Sequence, residues 1–188
     1  VYWRWRFGTV LESWWAGFAP YIPTQELLFG IALACTLAVM GILARMGRPL
    51  AAAGVSIVQF ELAGTLAKAQ AMMARWGETN RQQALRHTYV DFLFLLLYPF
   101  TIALGCGLAA RQFPAGSWLA SAGLYLAWAQ LVAGLLDAVE NVAMIQLLRG
   151  SQNPKLPLIA RWCAIPKFAV VGLGLAYMLF GGVRWALW

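Results

Sequence analysis

The run Asp137-Ala-Val-Glu140-Asn141 concentrates more chemically capable side chains than any other stretch of the chain. On a helix, spacings of three and four bring Glu140 and Asn141 beside Asp137, and Gln130 continues that face. A second strip is formed by His87 and Asp91, four residues apart, with Tyr98 and Thr101 further along. Carboxylates in apolar surroundings can exchange protons, act as acid and base, or hold a cation, because burial disfavours their charged form. An ionisable residue within a membrane helix is by default a functional hypothesis. The competing reading is structural: the acids and nearby cations pair with one another and set helix register. For His87 the structural reading is the stronger, since Asp91 one turn away can satisfy the ring.

The residue inventory excludes several chemistries. A single histidine cannot supply the two Glu-x-x-His pairs of a bundle di-iron site, nor a bis-histidine haem. One hard or borderline cation held by His87, Asp91, Asp137 and Glu140 stays open as an alternative. No lysine falls inside an expected span, which argues against a retinal-type Schiff base. No G-x-S-x-G elbow, zincin helix or phosphate-binding glycine loop is present. Cys35, Cys106 and Cys163 stand singly, an odd number without C-x-x-C spacing, and read as small buried hydrophobes. No motif carries a resemblance to a known family, and the cofactor is unknown.

The elements that must position these residues are apolar. Of 188 residues, 62% are hydrophobic, 14% aromatic and only 11% charged. A soluble domain carries about a quarter charged residues, so a fully solvated surface is excluded. Four runs approach the roughly 20 residues that a helix needs to cross a bilayer core. They are residues 27–44, 92–110, 117–140 and 168–187, the last with Lys167 and Arg184 snorkelling at its ends. The fold class is therefore an all-α integral membrane protein, a four-helix bundle in a single membrane domain.

Net charge is +7, yet nucleic-acid binding is not implied, because the basic residues lie between apolar runs. Arg45, Arg48, Lys68, Arg75, Arg81 and Arg86 fall in the first long connection, and Arg149, Lys155, Arg161 and Lys167 in the second. The turn between the middle spans holds only Arg111. The positive-inside rule puts both long connections in the cytoplasm and both termini outside, as in a bacterial inner membrane, with Arg4 and Arg6 as contrary charges.

Two extra-membrane elements are expected. Residues 1–25 interleave Trp3, Trp5, Phe7, Trp14, Trp15 and Phe18 with Arg4, Arg6 and Glu12, the composition of an interfacial segment rather than a signal peptide. The chain begins at Val1 rather than Met, which suggests residues upstream. Val58, Leu62, Leu66, Ala69, Met73 and Trp76 recur at helical spacing, predicting a cytoplasmic amphipathic helix over 55–76, closed by Gly77. Thr79 is then placed to cap the following span. Gly172, Gly174, Gly181 and Gly182 read as sites of close helix packing.

Depth brings the two polar strips together. The third helix, from about Ser117 to Leu148, is longer than the bilayer core, so Asp137 and Glu140 emerge near the inner interface, level with Asp91 and Lys167. The expected cluster is His87, Asp91, Asp137, Glu140, Asn141 and Lys167, reached by Glu61 from the amphipathic helix, with Tyr98 and Gln130 deeper. The favoured function is binding or transport of a small amphiphilic or lipid-like ligand. The alternatives are a membrane enzyme using the carboxylates as acid/base groups or as ligands for one metal ion, and an accessory subunit of a larger membrane complex; a homo-oligomer is a further candidate partner. The lipid bilayer is a partner under all three.

Overall fold

A computed structural model describes residues 24–187. The aromatic segment expected over 1–25 therefore lies almost wholly outside the described residues. Among those residues the chain is entirely helical: α1 (Gln25–Ala52), α2 (Ile57–Glu61), α3 (Leu66–Ala110), α4 (Trp118–Leu148) and α5 (Leu156–Leu187). Four of them, α1, α3, α4 and α5, are long and apolar enough to cross a membrane.

Local chemistry explains where each helix starts and stops. The Thr24 side chain accepts from the Leu27 amide, and α1 then runs through Arg45, Arg48 and Pro49 to Ala52. It outlasts the expected span because Arg is a good helix former, and a charge ends a hydrophobic run without ending a helix. Ser56 and Gln59 form a reciprocal capping box at the start of α2. Gly64, at φ 71, turns the chain, and Thr65 caps α3 by accepting from the Lys68 amide.

The helix expected over 55–76 is thus two helices separated by a turn, because left-handed Gly64 interrupts an otherwise continuous apolar spacing. Gly77 does break the helix, with φ 66 and ψ −179, but α3 resumes directly on its far side. Thr65 caps the stretch before this break, and among the described residues Thr79 makes no capping hydrogen bond to the stretch after it. Gly116, at φ 79, turns the chain into Ser117, which caps α4 by accepting from the Ala120 amide. Gly150, at φ 96, closes the far end of α4. The fourth spanning helix begins at Leu156 rather than near residue 168. Lys167 is therefore about three turns inside α5 and only 6% exposed, too deep to snorkel from a helix end.

Packing differs between the two ends. Where α2 and the two longer connections lie, Leu50, Val55, Phe60, Trp76, Met144, Leu147, Leu148 and Leu156 form a closed apolar core. Phe60 and Trp76 pack with ring centroids 5.0 Å apart, and Trp76 Nε1 donates to the Val55 carbonyl. Arg81 Nε donates to the Leu148 carbonyl at 2.7 Å, satisfying a terminal acceptor of α4. At the opposite end Tyr98, Ile102, Cys106, Ala109, Phe113 and Tyr177 form a smaller core.

Small residues let the helices approach there. A Cβ on Gly181 would lie 2.8 Å from Ala109 Cα, and one on Gly174 would meet Gln130 and Ile102. Gly172 and Gly182, expected to pack likewise, would present a Cβ to open space, since they fall on the outward side of α5. Of the cysteines only Cys106 is buried. Cys35 faces outward from α1 and Cys163 is intermediate, because in a membrane helix an apolar environment does not require the protein interior.

Candidate functional site

The site lies between α2, α4 and α5, toward the end that carries the larger core. Lys167 Nζ stands 2.9 Å from Asp137 Oδ1 and 2.9 Å from Glu140 Oε2, with Glu61 Oε2 at 4.0 Å. Asp137 and Glu140 are one turn apart on α4, so their carboxylates flank a single ammonium supplied by α5. Glu61 reaches the same ammonium because it is the last residue of α2, whose Phe60 is anchored in the core. Side-chain exposure is 8% for Lys167, 5% for Asp137, 0% for Glu140 and 12% for Glu61.

Three carboxylates face one ammonium, so full ionisation would leave two negative charges unmatched in a space withdrawn from water. Burial is the largest influence on Glu61 and raises its carboxyl above the usual range, against the pull of Lys167. Glu140 and Asp137 are both among the groups that act on this carboxyl. Among the described residues, Glu140 Oε1, Glu61 Oε2 and the Tyr98 hydroxyl are buried without a hydrogen-bond partner. The Tyr98 hydroxyl looks toward Asp137.

Two of the expected residues adjoin this group. Asp91 Oδ2 accepts from Asn141 Nδ2 at 2.7 Å, which ties α3 to α4 one turn beyond Asp137. Gln130 lies about two turns before Asp137 on α4. Its Nε2 donates to the Val170 carbonyl at 3.0 Å, while its Oε1 has no partner among the described residues.

His87 does not join the cluster, and the expected His87–Asp91 pairing is not made. The ring faces α1, close to Leu43 and Gly47, while Asp91 bonds to Asn141 instead. Four-residue spacing placed both side chains on one side of α3, but two different helices pack against that side. The expectation that no lysine lies within a span also fails, because α5 begins before Lys167.

Two contacts escaped the sequence reading. Thr36 and Thr101 join α1 to α3 through hydroxyls 2.8 Å apart, deep in the bundle. Arg111 pairs with Glu26 at 2.9 Å and also donates to Gln25 at the opposite end. Both link residues far apart in sequence, and neither shows a local signal beyond residue type. Among the described residues no group of three or more His, Cys, Asp and Glu side chains is placed to hold a metal ion.

The arrangement can therefore hold and release protons, or accept a further positive group between its carboxylates. No protein-family model, curated protein or solved structure matches the chain.

Proposed function

We propose that the protein is a polytopic membrane protein that binds or transports a small amphiphilic ligand, whose polar end reaches the acidic cluster at the cytoplasmic leaflet. The observation that carries this reading is the unequal group around Lys167, with three carboxylates on one ammonium and partnerless polar atoms beside them. A purely structural ion pair gains from matching charge for charge, since each unmatched buried charge costs several kcal/mol. An excess of carboxylates in a membrane helix bundle suits a site whose charge changes during its work. The cytoplasmic placement rests on the positive-inside distribution, with Arg45, Arg48, Arg75, Arg81, Arg86, Arg149 and Arg161 around the same end.

The test compares Asp137→Asn and Glu140→Gln with the parent chain in detergent, reading retention of octyl amphiphiles that differ only in headgroup. Weaker retention at unchanged insertion and thermal midpoint is the expected result. Equal retention by both variants rejects the site.

A further inference from the structure

Resting on that reading, the geometry points to a primary ammonium as the ligand's polar group, bound between Glu61 and Glu140 in exchange for one proton. Among the described residues, nothing donates to the buried acceptors Glu61 Oε2 and Glu140 Oε1, and Glu140 Oε2 touches Lys167 at ion-pair distance without a hydrogen bond. Lys167 is the one ammonium among them that serves all three carboxylates. The site is short of donors. A primary ammonium brings three donors and one positive charge, whereas a phosphate or sulfate would bring more acceptors and repulsion.

Glu61 is the outermost of the three acids, with a side chain 12% exposed, and stands furthest from Lys167. It ends a five-residue helix between left-handed Gly54 and Gly64, whereas Asp137 and Glu140 are fixed within α4. A group entering from the connection side therefore meets Glu61 first and Glu140 behind it. The Tyr98 hydroxyl, in a residue 5% exposed, supplies a further unpartnered polar atom facing Asp137.

The proton balance follows from the neighbours. Glu61 is faced by Glu140 and Asp137 from α4, Lys167 from α5 and, at longer range, Asp91 from α3. Arg161 lies over Gly64, where a Cβ would stand 2.9 Å from Nη1. Three carboxylates around one ammonium leave two negative charges unmatched, and a proton on Glu61, the most weakly paired of the three, offsets one of them. When R–NH3+ enters, the proton on Glu61 leaves to water, each carboxylate gains an N–H donor, and the net charge of the group is unchanged. No bond of the ligand is broken.

The experiment is titration calorimetry of the full chain with octylammonium, repeated in buffers of different ionisation enthalpy. Release of about one proton per bound amine near neutral pH is expected, and Glu61→Gln should abolish that release. Octyltrimethylammonium, which has no N–H donor, should bind at least roughly tenfold more weakly, and octyl sulfate weaker still. Equal binding of the trimethyl compound, preference for the sulfate, or amine binding without proton release overturns this proposal and leaves the amphiphile reading standing. Failure of the folded chain to retain any octyl compound overturns both. Nanodiscs distinguish two sources of the same chemistry. Competition by phosphatidylethanolamine, absent with phosphatidylcholine, assigns the ammonium to a lipid headgroup, and its absence assigns it to a free amine. The parent-chain measurement decides the proposal even where Glu61→Gln fails to fold.

Discussion

Two ion pairs with the same separation sit at opposite ends of this bundle. Lys167 and Asp137 are 2.9 Å apart with side chains 8% and 5% exposed, while Arg111 and Glu26 are 2.9 Å apart at 56% and 63%. The distances are equal and the consequences are not. Water and mobile ions screen the exposed pair, which contributes at most about 1 kcal/mol. The buried pair has given up its hydration, so each member depends on the other, and the surplus carboxylates Glu140 and Glu61 have only the same ammonium to share. The packing around them differs in the same sense. The end with Lys167 packs around Phe60, Trp76 and Met144, whereas Phe29, Gly105, Met178 and Gly181 at the Arg111 end line an open cleft of about 440 Å³.

The largest test of this contrast is Lys167→Met. It should destabilise the protein by about 3–5 kcal/mol, because buried Asp137 and Glu140 and the partly buried Glu61 lose the one cation that pairs with them among the described residues. Chemical unfolding in detergent reads the loss, and a change below about 1 kcal/mol would show that the cluster is as well hydrated as the exposed pair.

Helix approach at the other end comes next. Gly181→Leu should lower stability by about 1–3 kcal/mol, since even its Cβ collides with Ala109, and the rest of the side chain must push α3 and α5 apart. Gly182→Ala, where a Cβ meets nothing within 4 Å, should be neutral or gain a few tenths of a kcal/mol. Equal effects at the two glycines would remove the packing distinction.

Asn141→Leu sharpens the boundary of the buried region. It strips Asp91 of its donor and should lose about 1–3 kcal/mol, with Asp91→Asn restoring part of the loss. The sign of the pH response follows from Glu61, which burial raises from its ordinary 4.5. The folded chain holds this proton more tightly than the unfolded chain. The stabilisation is complete below pH 4.5 and disappears as pH rises through the raised value. The thermal midpoint of the parent chain should therefore fall relative to Glu61→Gln across that window; parallel profiles would place Glu61 in contact with water. Smallest of all, Glu26→Gln should change stability by less than about 1 kcal/mol, and less again in high salt.

Much of this site was legible because helix geometry is local. Asp137, Glu140 and Asn141 had to share a face of α4, and the uncharged runs required long helices with acids near one end. Their meeting with Lys167 followed from depth, since helices crossing the same layer bring residues of equal depth level. His87 failed for the opposite reason. Its spacing from Asp91 was right, but which neighbouring helix receives each side chain depends on packing angle and order, and α1 received the ring. The divided helix over 55–76 turned on Gly64, where the apolar spacing continues unbroken and only the backbone departs.

From residue order alone came the number of long apolar helices and the scarcity of charge within them, because each depends on near neighbours and on transfer of side chains from water. The tertiary structure alone decided that Lys167 is an interior residue shared by three acids, that His87 stands apart, and that Gly181 touches a neighbour while Gly182 does not. Those outcomes depend on contacts between helices distant in sequence, where a rotation of one helix by a single residue position exchanges a buried partner for the outer surface.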